Sequence, residues 1–177
     1  MALKIMIANP VTAVWEITMG CNMRCKHCGS SCHSALPDEL TTTEALALCD
    51  DLGKLGLQWV TLSGGEPTTR KDWHLIAARL TQNGVIPNII TNGWLFNEEI
   101  LEQAINAGVG TIAFSVDGLQ ETHDFIRREG SYQRIMRAIE LCRSRNMEVT
   151  AITTINKMNL SELIGLKQEL VLRGVKS

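Results

Sequence analysis

Aromatic side chains are scarce in this 177-residue chain: one tyrosine, three phenylalanines and four tryptophans, 5% in all. The tryptophans, Trp15, Trp59, Trp73 and Trp94, are dispersed and form no stacking platform for single-stranded nucleic acid. Neither sign of charge dominates, because 17 Lys+Arg stand against 19 Asp+Glu for a formal net charge of −2. That balance gives no electrostatic argument for nucleic acid or an anionic membrane as partner. No run approaches the ~18 apolar residues of a membrane span. The N-terminal stretch through Val11 is mildly apolar, but it carries Asn9 and Pro10 and lacks a signal-peptide layout. Disorder is excluded as well, since 45% of the residues are hydrophobic and net charge is low. The expectation is a soluble, cytoplasmic globular chain, long enough for one domain that buries about 70% of its unfolded surface.

Against these absences stand six cysteines. Four of them, Cys21, Cys25, Cys28 and Cys32, crowd into one short stretch, while Cys49 and Cys142 stand alone. A disulfide scaffold does not suit a chain of this length with no export signal and an ordinary core composition. Clustered thiols in a reducing compartment point to metal binding or redox chemistry. Cys49 and Cys142 fall on apolar helical stripes and read as small core residues.

Two patterns alternate along the chain. Short β-rich runs occur at 13–18, 59–63, 86–91, 111–115 and 148–154, with helical spacing between them. Thr41 with Glu44 forms a capping box ahead of the first helical stretch, and Gly56 ends it. Asn97 caps the third helix, which Gly108 stops, and Asn159 with Glu162 offers a second capping box ahead of the last. Alternating strands and helices predict right-handed βαβ units and a parallel sheet. The spacing is about 34 residues per unit, against about 31 in a closed eight-fold barrel. Periodicity alone leaves a doubly wound sheet open.

All five β-rich runs finish in small, polar or metal-binding residues. They end in Thr18-Met19-Gly20-Cys21, Ser63-Gly64-Gly65-Glu66-Pro67, Thr91-Asn92-Gly93, Ser115-Val116-Asp117-Gly118 and Thr154-Ile155-Asn156. In parallel α/β folds the C-terminal strand ends share one rim, where active sites are found. One site assembled from all five strands is therefore predicted.

The spacing C-x3-C-x2-C across Cys21, Cys25 and Cys28 suits a cubane iron–sulfur cluster, with one of its four irons left open. Cys32, His27 or His33 could instead complete a four-ligand zinc site or a closed cluster.

Together the cysteine loop, Gly64-Gly65-Glu66-Pro67, Thr91-Asn92-Gly93 and Ser115-Val116-Asp117-Gly118 resemble the radical S-adenosylmethionine superfamily. The stretch His123-Asp124-Phe125-Ile126-Arg127, followed by Gly130-Ser131-Tyr132, is similar to its peptide- and protein-modifying branch, which often carries a C-terminal auxiliary-cluster domain of the SPASM type. The resemblance runs from about residue 11 to 156. It implies a partial parallel (β/α) barrel of about five units, with residues 1–177 forming the N-terminal part of the core domain.

The resemblance also implies a mechanism. Cys21, Cys25 and Cys28 would hold a 4Fe-4S cluster whose open iron chelates S-adenosylmethionine. An electron from a flavodoxin- or ferredoxin-like donor would cleave the sulfonium into methionine and a 5′-deoxyadenosyl radical, which abstracts hydrogen from a peptide or protein substrate. Gly64 and Gly65 would let backbone approach the methionine moiety and Glu66 would accept from its ammonium. Ser115 and Asp117 would reach the ribose or carboxylate end. Asn156 or Thr154 would face the cofactor from the fifth strand, and His27 would sit near the adenine, unless it is simply a solvent-exposed loop histidine. Arg127 reads as a surface residue beside Arg128 and Glu129, with pairing to a carboxylate as the alternative. His74 reads as structural, and Cys32 as either a spare thiol or a substrate-handling one.

Two rivals remain at this level: a non-catalytic zinc or closed-cluster module on the four clustered cysteines, and an inactive fragment of such an enzyme. The second follows from length. The chain stops at Gly174-Val175-Lys176-Ser177, where a sixth strand is expected to begin, so a truncated chain or one completed by another polypeptide is expected.

Overall fold

A computed structural model describes residues 10–176 of the chain, so most of the mildly apolar N-terminal stretch lies outside the described residues. Five strands form one sheet: β1 (Thr12–Glu16), β2 (Trp59–Ser63), β3 (Ile86–Thr91), β4 (Thr111–Ser115) and β5 (Glu148–Ile152). Six helices alternate with them: α1 (Thr42–Lys54), α2 (Trp73–Gln82), α3 (Glu98–Asn106), α4 (Gln120–Ile126), α5 (Ser131–Ser144) and α6 (Leu163–Leu172).

Every strand pairing is parallel, and the spatial order is β1-β2-β3-β4-β5. A doubly wound sheet must reverse its strand order at a switch point. Here the order never reverses, as in a barrel wall, and this removes the alternative that periodicity left open.

Period-two alternation divides the sheet into two faces. On one face Val60, Leu62, Ile89, Ile112, Phe114 and Val149 are buried in a single core with helix residues such as Ile76, Leu80, Leu101, Ile135 and Ile139. Cys49 and Cys142 belong to this core, as their stripes predict. Burial pushes their thiols up to about 11 and about 12 respectively, so both stay protonated. On the other face Val14, Trp59, Ile86 and Ile152 are exposed.

The helix signals act largely as read. The Thr41–Glu44 capping box forms in both directions, and the Asn97 side chain accepts from the Ile100 N–H. The second predicted capping box does not form. Asn159 instead donates its amide to the Asp117 and Thr154 carbonyls, at 2.6 and 2.8 Å. Glu162 accepts from the Leu119 N–H and the Thr122 hydroxyl. Both residues lace the β4 and β5 exits together, because those loops carry backbone groups that no strand satisfies.

Strands β1 and β5 end two residues earlier than their β-rich runs. Past Ile152 the chain bonds to the β4 exit rather than along a ladder: Thr153 Oγ1 donates to the Val116 carbonyl and the Thr154 N–H to Asp117 Oδ1. After α6, the Lys176 N–H donates to the Val149 carbonyl at 3.0 Å. No helix among the described residues is long and apolar enough to cross a membrane.

Candidate active site at the strand rim

The loop leaving β1 carries the cysteines and returns to its own start. The Cys21 N–H donates to the His33 carbonyl, and the Cys28 N–H to that of Cys25. Neighbouring elements pin it from outside. The Lys26 N–H donates to the Ile126 carbonyl at the end of α4, Arg128 Nη1 to the Asn22 carbonyl, and Asn92 Nδ2 to Asn22 Oδ1 at 2.8 Å.

Cys21, Cys25, Cys28 and Cys32 all line one cleft of about 260 Å³. Cys21 and Cys25 are half-buried, Cys28 is exposed and Cys32 is buried. Burial pushes the Cys21, Cys25 and Cys32 thiols up; at Cys25 the Arg127 guanidinium opposes that shift. Among the described residues no three His, Cys, Asp or Glu side chains converge as a ready cage for a single ion. The thiols are spread along a cleft wall instead, a donor set whose softness and number fit an iron–sulfur cluster.

The cleft draws on four strand ends besides the cysteine loop. Gly64 and Gly65 follow β2, Thr91 and Asn92 stand at the end of β3, Ser115 ends β4, and Thr154 follows β5. The single rim predicted from five polar strand ends is therefore assembled in space.

The glycines turn out to serve a contact within the protein. At Gly64 (φ 133°) an added Cβ would fall 2.2 Å from the Thr18 carbonyl oxygen, and at Gly65 the same distance from that of Gly20. The Gly65 and Glu66 N–H groups donate to those two carbonyls at 2.7 and 2.8 Å. The β2 exit is thereby bonded to the start of the cysteine loop.

Glu66 and Asp117 are not among the residues that line the cleft. The Glu66 carboxylate is buried outside the cleft lining. It accepts from Thr68 Oγ1 (2.6 Å), Thr91 Oγ1 (2.8 Å) and the N–H groups of Thr68 and Asn92. Burial pushes its carboxyl up against these bonds.

Asp117 is fully buried, likewise outside the lining, and it organises the rim. Oδ2 accepts from His27 Nε2 at 2.7 Å and Arg127 Nε at 2.5 Å, while Oδ1 accepts from the Thr154 N–H. Burial alone would raise its carboxyl, but the Arg127 charge and these bonds outweigh it, and the net direction is down.

His27 lines the cleft with its ring fixed by Asp117, so it is no free loop histidine. Arg127, expected at the surface, is 11% exposed in its side chain because Asp117 recruits it inward. Asn156 is not among the residues lining the cleft. Its side chain closes a turn by accepting from the Met158 N–H, so on this strand exit Thr154 lies nearer the site.

For three residues sequence reasoning does not assign the rim contacts they make: Asn92, His123 and Asn159. Buried His123 accepts from the Asp117 N–H through Nδ1, and burial pushes it down to about 4, so it stays neutral. The polar strand end Thr91-Asn92-Gly93 is the one signal that could have singled out Asn92.

A model of the Radical SAM superfamily matches residues 15–170. The chain is 40% identical over 157 residues to an AdoMet-dependent heme synthase of Methanosarcina barkeri, covering 87% of this chain and 45% of that protein. It is 33% identical over 132 residues to the mycofactocin maturase MftC of Mycobacterium ulcerans, covering 74% of this chain and 36% of the maturase. The fold is shared with Streptococcus suis SuiB bound to S-adenosylmethionine, with a TM-score of 0.84 at 15% identity over 94% of this chain and 39% of SuiB. The chain thus spans less than half the length of these relatives. A cysteine loop that opens onto a rim of parallel strand ends, and a family match over nearly the whole described chain, lead to one assignment: the protein belongs to the Radical SAM superfamily.

Proposed function

We propose that Cys21, Cys25 and Cys28 hold a 4Fe-4S cluster at the rim, and that the chain binds S-adenosylmethionine beside it for reductive cleavage. The observation that carries this reading is the shared cleft, where three spaced thiols face Gly64, Gly65, Ser115 and Thr154. When bound, the cluster supplies the electron that splits the sulfonium into methionine and a 5′-deoxyadenosyl radical, the species that takes hydrogen from a substrate.

The chain's own residues bind, orient and exclude water. Gly64 and Gly65 offer backbone to the methionine end, and Ser115 Oγ and Thr154 Oγ1 offer hydroxyls to the sugar or carboxylate. Glu66 acts from beneath, fixing Thr91 and Asn92, with one lone pair of Oε2 left for an ammonium. Asp117 holds His27 at the cleft edge, where its ring is available to the adenine. Asn156 contributes by shaping the turn after Thr154 rather than by contact. Cys32 lies on the cleft wall as a fourth thiol outside the ligand set.

The substrate reading is a peptide or protein, supported by the similarity to the maturase MftC and by the His123–Tyr132 stretch. A second reading, a haem-type macrocycle, is favoured by the 40% identity to an AdoMet-dependent heme synthase. A flavodoxin- or ferredoxin-like protein is the proposed donor, and the cytoplasm the proposed compartment.

Anaerobic reconstitution followed by reduction with S-adenosylmethionine tests the core reading. Release of 5′-deoxyadenosine is expected, and its loss in Cys25→Ala. A chain that takes up zinc without iron or sulfide would overturn the proposal in favour of a non-catalytic module. Cluster uptake without 5′-deoxyadenosine would identify a fragment that cannot turn over.

A further inference from the structure

We infer that the outer face of the cysteine loop, continued across Trp94 onto α5, is the docking surface for an acidic protein that delivers single electrons. The inference rests on the reading that Cys21 is a cluster ligand. Its basis is where the chain leaves arginines without carboxylates.

Arg70, Arg79, Arg127, Arg145 and Arg173 each pair with an aspartate or glutamate. The other five arginines have no carboxylate partner among the described residues. One of them, Arg143, lies near the end of α5. The remaining four, Arg24, Arg128, Arg134 and Arg137, are exposed and form one continuous face. Arg24 and Arg128 flank a cleft of about 400 Å³ on the cysteine loop. Arg128 and Arg134 both lie against the Trp94 ring, at 3.6 and 4.2 Å from its centroid. Arg134 and Arg137 share a smaller hollow with Trp94. Lys26, 2.9 Å from the centroid of the exposed Phe125 ring, extends the face. Across 21–28 and 128–137 the only carboxylate is Glu129.

The chain as a whole carries a net charge of −2, so this face is a local excess of one sign. Such a patch raises the encounter rate with a partner of opposite charge and rejects one of like charge. Arg127 does not add to it, because Asp117 neutralises its charge. Position defines the partner's task. Cys21 lines this outer cleft and the rim cleft alike, so the proposed ligand lies between the charged surface and the site. An electron carrier needs nearness rather than an enclosing pocket, and weak redox encounters bury little area. One electron leaves the carrier and one enters the cluster, and no bond forms or breaks. Nucleic acid fits the face less well, since the Trp94 ring is already engaged by two guanidinium groups instead of open to a base.

The test is the rate at which reduced flavodoxin, an acidic carrier, reduces the anaerobically reconstituted full chain, followed by stopped-flow absorbance at low and high salt. The control reductant is photoexcited 5-deazariboflavin, which is small and uncharged. Wild type, R134E/R137E and K71E/K167E are compared at measured iron content; the last pair makes the same change in net charge elsewhere. R134E/R137E is expected to slow reduction by flavodoxin about tenfold at low salt, with the difference closing at high salt. Reduction by deazaflavin is expected to be unchanged, and K71E/K167E to match wild type with both reductants. If R134E/R137E does not fold, R134Q/R137Q decides, with a smaller slowing expected and a wild-type rate overturning the inference. A wild-type rate in R134E/R137E overturns it, as does equal slowing in K71E/K167E, which would make overall charge the cause. Slowing with deazaflavin as well overturns it by showing an altered cluster. A wild-type chain that deazaflavin reduces and flavodoxin does not also overturns it. A wild-type chain without any cluster signal overturns the functional reading instead, which separates the two failures.

Discussion

The helix-covered face of the sheet and the rim at its strand ends are both buried, yet they are built on opposite terms. Behind the sheet, Leu62, Ile76, Ile112 and Phe114 are wholly apolar, and each contacts many neighbours of the same kind. At the rim the buried residues include Glu66, Asp117, His123 and Asn159, and each is held by directed bonds, several at Glu66, Asp117 and Asn159 and one at the His123 ring. Dispersion and burial are non-directional, so the core tolerates exchange of one apolar residue for another of similar volume. A buried charge tolerates almost nothing, since removing a partner leaves its desolvation uncompensated. Stability is therefore concentrated in one region, and geometric precision in the other.

The largest effect on stability is expected in the core. Phe114→Ala removes a fully buried ring in edge-to-face contact with Phe96 at 5.1 Å between centroids. A loss of about 3–5 kcal/mol is expected in urea unfolding, with iron uptake per folded molecule unchanged. Reduced uptake at equal folded fraction would break the division between the regions.

The next effect belongs to the rim and appears with pH. The folded-state value of His123 lies at about 4, below its ordinary 6.5, so the unfolded chain binds the proton first. Stability is full above about 6.5 and falls as pH drops toward about 4, by on the order of 3 kcal/mol. Asp117 is likewise held down, so its contribution is present above the ordinary ~3.9 and disappears below it, as pH falls through the folded value. Thermal melts across this range check the shape, and His123→Asn should flatten the upper window.

A smaller rim effect is expected from Glu66→Gln. One acceptor oxygen becomes an NH₂ facing donors such as the Asn92 N–H, at a cost of about 1–3 kcal/mol in urea unfolding. The smallest effect is expected outside both regions. Lys54 and Asp51 form an exposed pair on α1, and Lys54→Ala should leave the urea midpoint unchanged within error.

The same contrast explains what was legible in the sequence. Helix starts and the core stripes were readable because their signals are local: Thr41 finds Glu44 three residues on, and Cys49 repeats with its own helix face. The polar strand ends were readable as a set because parallel topology delivers them all to one rim. Strand order was not, since periodicity carries no information about which strands lie side by side. The bonds between rim residues were not legible either. Arg127 meets Cys25 across 102 positions and Asp117 meets His27 across 90, and nothing local distinguishes a recruited arginine from a surface one. Asn159 and Glu162 carried the right spacing for a cap, but the unsatisfied backbone of the β4 and β5 exits competed for the same side chains.

The most direct test of the central claim, a rim cluster with one iron left open for S-adenosylmethionine, is Mössbauer spectroscopy of the reconstituted chain with and without the cofactor. The account predicts that about a quarter of the cluster signal, one iron of the four, moves on adding S-adenosylmethionine, and that Cys32→Ala behaves as wild type. A spectrum indifferent to the cofactor, with cluster content lost in Cys32→Ala, would contradict it and show a closed four-cysteine cluster instead.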